Sequence, residues 1–303
     1  MTKRISVIFC LMGLLLIFAP VCADAQQRDF PFPAVPSELR TPQARAGYLI
    51  NHYWDNFNFN DEANFKDADF FEQGFSNFIS LFPIVDTPVL TDGVATLVER
   101  AAPKIKLLSS VVDKYLFEPD SPIYNEEYFH IFAGNLAKSA ALDEAAASDY
   151  VFYNRLLSLN APGKKAADFT FKTLDGKRHR LSSFKAKKLL MIFYDPECEH
   201  CMELMSKLAA DSEIAARVAE GALSVLAVFA DGNEPGVPGG QTAILNKLKE
   251  LPFPAPWTRA LDVTGIQERG LYWLHTLPAL YLLDSHKIVI AKHFTLEQLQ
   301  VLL

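Results

Sequence analysis

The chain has 303 residues, 50% of them hydrophobic and 12% aromatic, enough to fill about two cores of ordinary domain size. That excludes a mainly disordered protein. Its 29 Lys and Arg against 36 Asp and Glu give a net charge of −7, without the basic excess that phosphate contacts demand, so nucleic-acid binding is not expected.

At the N-terminus, Lys3 and Arg4 precede an apolar run from Ile5 to Phe18, and Ala23-Asp24-Ala25 then places small residues where signal peptidase cuts. Residues 1–25 therefore read as a cleaved secretory signal, which predicts a periplasmic protein. The apolar run is shorter than the roughly 20 residues of a bilayer span, so no membrane insertion is expected after cleavage. A lipid anchor through Cys22 is the alternative, although Pro20 and Val21 fit a lipidation signal poorly. Cleavage after Ala25 removes Cys10 and Cys22 and leaves Cys198 and Cys201. An exported chain whose cysteines form a single C-x-x-C pair is not a disulfide-stapled scaffold.

Residues 26–37 carry Pro31, Pro33 and Pro36 and read as an extended lead-in. Thr41-Pro42 is an N-cap followed by Pro at the first helical position, opening a helix through Tyr48, Leu49, His52 and Tyr53. Phe71, Phe75, Phe78 and Phe82 recur at spacings of three and four. This stripe predicts a second helix with an apolar core face. The same period runs from Val89 to Leu116, divided by Pro103, and two more helices are expected over about 126–138 and 143–159. Residues 38–160 thus form a predicted all-helical domain, closed by Asn160-Ala161-Pro162-Gly163.

Beyond it the pattern changes. Strands are expected at 169–173, 188–194, 224–230, 279–283 and 288–292, with a turn at Asp175-Gly176 and helices over 198–210, 242–251 and from Thr295 onward. Residues 161–303 are therefore predicted to be an α/β domain with a mixed sheet. The loop Gly232–Gly240 lacks any phosphate-binding spacing and reads as a connection.

Chemistry concentrates at one place. Strand 189–194 runs through Asp195-Pro196-Glu197 into Cys198-Glu199-His200-Cys201, at the expected start of a helix. Unpaired N–H groups and the helix dipole stabilise a thiolate there, the species that attacks disulfides. His200 is positioned to tune that thiolate, while Glu197 and Glu199 oppose it by like charge.

These residues resemble the thioredoxin superfamily, and within it the exported TlpA-like thiol-disulfide oxidoreductases. The resemblance covers about 166–303. It rests on Ala167-Asp168-Phe169, the Asp175-Gly176-Lys177 hairpin, the C-x-x-C helix and Thr276-Leu277-Pro278 ahead of a strand. It implies a thioredoxin fold behind the helical domain, with Cys198 as nucleophile, Cys201 as resolving thiol and a cis Pro278 facing the pair. Leu277, Tyr194 and Pro196 form the implied substrate-binding set, Leu277 pairing its backbone with an extended substrate. No cofactor or metal is implied, and the partners are protein thiols or disulfides and an upstream electron donor. The helical part resembles a domain of unknown function that precedes thioredoxin-like modules, through His52-Tyr53-Trp54-Asp55 and Ser121-Pro122-Ile123-Tyr124-Asn125-Glu126.

Two departures bear on mechanism. Where thioredoxins carry a buried Asp six residues before the first cysteine, this chain has Ile192, leaving water, Glu197 or Glu203 as substitutes. Glu197 also replaces the aromatic residue often found before the first cysteine. Resembling peroxiredoxins place Thr three residues before a peroxidatic cysteine, and Asp195 stands there instead.

The rival reading from another class is a partner-binding or copper-handling module that uses Cys198, His200, Cys201, Met202 and Met205. His52, His130, His179, His275, His286 and His293 have no mutual spacing that favours a metal. Trp257 and Trp273 are candidates either for a substrate groove or for ordinary packing. The helical domain offers little from which to build a second active site, so it is expected to position partners. A fragment of residues 161–303 is accordingly expected to fold alone.

Overall fold

The computed structural model describes residues 29–230 and 240–303. The expected signal at 1–25, Cys22 and nearly all of the loop Gly232–Gly240 lie outside them. No helix among the described residues is long and apolar enough to cross a membrane.

Six α-helices build the first domain: α1 (Pro42–His52), α2 (Ala68–Ile79), α3 (Thr87–Arg100), α4 (Ile105–Val112), α5 (Glu126–Leu136) and α6 (Glu144–Ser158). Local chemistry sets several starts. Thr41, Asp67, Asn125 and Asp143 each accept a backbone N–H from the first turn of the helix that follows, satisfying donors a helix start leaves unpaired. Pro103 lies in a short 3-10 turn between α3 and α4, where a missing N–H costs no helical bond. Phe71, Phe75 and Phe78 are buried on α2, while Phe82 falls just beyond it in a second 3-10 turn.

The aromatic residues are core. Tyr53, Trp54, Phe57, Phe59, Phe71 and Phe78 are buried in one contiguous cluster. The lead-in joins it through Phe30, whose ring lies 5.0 Å from Tyr53 and 5.5 Å from Trp54. Gly74 on α2 makes this possible, because a Cβ there would stand 2.4 Å from the Phe30 ring.

The second domain is a seven-stranded sheet. Its strands are β1 (Thr170–Thr173), β2 (Arg178–Arg180), β3 (Lys188–Tyr194), β4 (Leu223–Phe229), β5 (Thr258–Asp262), β6 (Ala279–Asp284) and β7 (Val289–Lys292), in the order β2-β1-β5-β4-β3-β6-β7. β3 pairs parallel with β4, as β4 does with β5, and the remaining pairs are antiparallel. Helices α7 (Glu199–Ala210), α8 (Ser212–Ala219), α9 (Gly240–Glu250) and α10 (Leu296–Leu302) complete it. β3 alternates faces inside a continuous apolar run. Leu190, Ile192 and Tyr194 pack with Cys201, Met205, Ile214, Leu248 and Leu299 from the helices, and Leu189, Met191 and Phe193 pack with Tyr272, Leu274 and Tyr281. This is the expected mixed sheet with flanking helices, a thioredoxin fold behind a helical domain.

Three elements escaped the sequence pattern. β2 is fully exposed, so no apolar alternation marks it. β5 is short, and its burial comes from lying between β4 and β1. α8 starts directly after α7, and Asp211 ends one helix while accepting the N–H groups of Glu213 and Ile214 in the next.

The two domains share packing surfaces. Trp273, from the sheet domain, is buried inside the helical core, in contact with Phe117, Phe129 and Tyr153. Asn160 adopts a positive φ of 52°, its amide donates to Leu271 O at 2.8 Å, and its carbonyl oxygen accepts the N–H of Ala167 at 2.7 Å. This removes the basis for expecting the sheet domain to be self-sufficient, since one of its tryptophans completes its neighbour's core. Trp273 and Trp257 are both buried, Trp273 in the helical core and Trp257 beside Phe253 in the cluster that holds Cys201, where it also lines a surface cavity with Phe171 and His179.

Candidate active site

β3 ends at Tyr194, and Asp195-Pro196-Glu197 turns the chain into α7, with Cys198 as its N-cap. Two hydrogen bonds shape the turn: Glu197 N–H donates to Asp195 Oδ1 at 2.7 Å, and Cys198 N–H donates to Asp195 O at 3.2 Å. Asp195, where a peroxidase-like chain would carry Thr, is thus a turn-forming carboxylate.

Both cysteines are reduced; Cys198 is partly exposed and Cys201 is buried. The Cys201 N–H donates to Cys198 Sγ at 3.3 Å, so an unpaired amide at the helix start is directed at the outer sulfur. Burial pushes the Cys201 thiol up to about 12, the nearby Cys198 adds to the rise, and a hydrogen bond from the Asp195 backbone opposes it. The outer sulfur is available to attack, and the inner one is held protonated.

The Leu277–Pro278 peptide is cis. β6 begins immediately after it, and the register Phe193↔Ala279 sets Pro278 beside the end of β3 from which the cysteine turn departs. Leu277 packs against the cluster containing both cysteines. Topology therefore brings together Cys198, Cys201, Pro196, Leu277 and Pro278, which lie about 80 residues apart at their extremes.

Tyr194 differs from the role expected of it. Its side chain is fully buried, 5.7 Å from the Phe253 ring, and offers an incoming peptide no surface, because even-numbered β3 positions point under α7. His200 is exposed on the first turn of α7, and no hydrogen bond joins its ring to either sulfur among the described residues.

The carboxylates offered as proton acceptors are engaged elsewhere. Glu197 pairs with Lys247 on α9, and Glu203 pairs with Lys207 one turn on; each lysine holds its partner below the usual carboxylate range. Ile192 is buried in the cluster that holds Cys201, so the missing acid is replaced by hydrocarbon. The Lys247 contact, 50 positions from Glu197, had no signal in the sequence. Met205 is fully buried in this core, and no group of three or more His, Cys, Asp or Glu side chains able to hold a metal occurs among the described residues.

Residues 12–160 match a family described as Domain of unknown function (DUF5106), and residues 162–292 match the AhpC/TSA family. Among solved structures, a thioredoxin-like protein from Bacteroides caccae ATCC 43185 is 27% identical with a TM-score of 0.81, the match covering 91% of this chain and 98% of that one. The C-terminal domain of an uncharacterized protein from Bacteroides fragilis NCTC 9343 is 30% identical over 48% of this chain and 97% of its own, with a TM-score of 0.43. No curated protein matches the chain.

Proposed function

We propose that this chain, which joins a DUF5106 domain to a thioredoxin-like domain of the AhpC/TSA family, is a periplasmic thiol-disulfide oxidoreductase working through Cys198-Glu199-His200-Cys201. The observation that carries this reading is the asymmetry of the pair. Cys198 is open at the helix start with a backbone N–H on its sulfur, and Cys201 is buried one turn inside. The secretory pattern at 1–25 supports the location.

In the reducing direction, the Cys198 thiolate attacks one sulfur of a partner disulfide. A bond forms from Cys198 Sγ to that sulfur, and the second partner sulfur leaves as a thiolate. Cys201 then loses its proton and attacks Cys198 Sγ, expelling the first partner sulfur and closing the Cys198–Cys201 disulfide. Two electrons pass to the partner, and an upstream dithiol donor restores them. With Ile192 beneath the pair and Glu197 and Glu203 held by lysines, the departing partner thiolate, or water, is the acceptor for the Cys201 proton. Leu277 and Pro278 form the platform beside the reacting sulfurs, with Pro196 in the turn that leads from β3 to Cys198. His200, exposed on the first turn of α7 with no hydrogen bond to either sulfur among the described residues, is assigned an influence on the couple through its position beside the pair alone.

Trapping tests the assignment. Cys201→Ala should accumulate mixed disulfides through Cys198, resolved on non-reducing gels and mapped by mass spectrometry, whereas Cys198→Ala should accumulate none. Equal trapping by both variants would defeat the assigned roles. In the same series, His200→Ala should shift the couple to a more negative potential, since stabilising the reduced form makes a couple more oxidising; an unchanged potential removes His200 from the site.

A further inference from the structure

We infer that the helical domain is part of the redox site's scaffold, with Phe117, Tyr124 and Glu126 as positioning residues that hold the segment Trp273–Pro278 where a substrate must dock. The inference rests on the oxidoreductase reading and extends it to a domain with no assigned role.

The segment packs Leu274 and Leu277 into its own domain, but its backbone is weakly tied. Leu271 N–H donates to Ile266 O at 2.9 Å, but no backbone N–H from residue 272 to 277 donates to a backbone carbonyl among the described residues, and Pro278 has none to give. Side chains do the fixing instead. Trp273 is inserted in the helical core. The His275 ring stacks on Phe117 with centroids 4.1 Å apart, and its Nε2 donates to the Phe117 carbonyl at 3.0 Å. The Tyr124 ring stacks on His275 with centroids 6.4 Å apart, which directs its hydroxyl end toward Thr276 and Trp273. Thr276 immediately precedes Leu277.

A second line of contacts reaches the same segment from α5. Glu126 forms an ion pair with Lys292 at the end of β7 and lies 3.0 Å from His293 Nε2; the Glu126 and Lys292 side chains are only 9% and 11% exposed. His293 Nε2 lies 3.5 Å from the Tyr281 hydroxyl, which donates to Trp273 O at 3.4 Å. Contacts thus run from the helical domain through His293 and Tyr281 back to Trp273.

The stretch that supplies these groups is itself firmly built. Ser121 Oγ donates to Tyr115 O and accepts the Ile123 N–H, Asn125 N–H donates to Leu116 O, and Asn125 caps α5 through the Tyr128 N–H. A firmly built helical loop therefore grips a segment whose own domain holds it through Leu274 and Leu277 but supplies few backbone bonds. Ordering Leu277 before the substrate arrives lowers the entropy cost of docking an extended chain.

The test uses the full chain with Tyr124→Phe and Glu126→Gln, and two substrates. One is a small synthetic aromatic disulfide that needs only Cys198. The other is a cystine-bridged peptide long enough to lie along Leu277. Loss of one such contact should raise the peptide KM about fivefold with kcat nearly unchanged, and leave turnover of the small disulfide unaltered. Hydrogen–deuterium exchange of the 271–279 peptide should become faster. An unchanged peptide KM, or a parallel fall with both substrates that follows a lowered melting temperature, overturns the inference. If the wild type proves no more active than Cys198→Ala, the oxidoreductase reading fails instead. Exchange of the 271–279 peptide then decides the positioning role alone, and an unchanged rate rejects it.

Discussion

Cys198 and Cys201 stand one helical turn apart and differ chiefly in their access to water. A thiol near 12 leaves on the order of one Cys201 in ten thousand as thiolate at pH 8, and that sulfur is buried besides. Reduced protein treated briefly with iodoacetamide at pH 8 should therefore be alkylated at Cys198, with Cys201 modified only after unfolding. Peptide mapping showing both cysteines labelled together would contradict this account of their environments. The C-x-x-C pair and the substitution at Ile192 are readable from sequence, because spacing along one strand and helix fixes them. The Lys247 partner of Glu197 and the burial of Tyr194 are not, since they depend on where α9 lands and which face of β3 lies under α7.

Among the elements, the junction of α5 with the end of β7 carries the clearest dependence on pH. Burial works to raise the Glu126 carboxyl, and His293 and Lys292 outweigh it, leaving it below the usual carboxylate range. Tyr281 from β6 approaches the same His293 ring at 3.5 Å, and His130 on the same helix is kept low by burial and by Lys292. Because the folded value lies below the unfolded one, the stabilisation is present above about pH 4.3 and is lost as pH falls through the folded value. Removing one partner of a buried pair costs about 3 kcal/mol at neutral pH. Glu126→Gln should accordingly melt well below wild type at pH 7, and the two should converge as the pH is lowered from 5 to 3. Melting curves that stay parallel over that window would show that this carboxylate does not control the junction. The cap at Asn125 is legible locally; its neighbour's partners at positions 292 and 293 are not.

At the scale of the whole molecule, the domain boundary divides the chain more cleanly than it divides the packing. Trp273 belongs to the sheet domain by sequence and to the helical core by contact. Stripping such a ring of its surroundings costs about 3 kcal/mol or more, before the Asn160 and Glu126 contacts are counted. A fragment of residues 161–303 should therefore melt at a lower temperature than the full chain, with Trp273 fluorescence shifted to the red. A fragment as stable as the parent would show that the shared packing contributes little.

The sequence by itself determined the elements whose signals are local. The N-capped helices α1 and α6, the Pro103 break, the buried strand β3 and the Cys198–Cys201 turn all follow from capping, periodicity and residue spacing over a dozen positions or fewer. It also determined, through a resemblance of motifs, that a thioredoxin-like sheet follows a helical domain. Only the tertiary structure decided how the two meet. Nothing near Trp273 in sequence says that it completes a core built from residues about 150 positions earlier, or that Lys292 answers Glu126. Burial and ion pairing between distant segments are properties of the assembled surfaces, and they appear only once both domains are folded against each other.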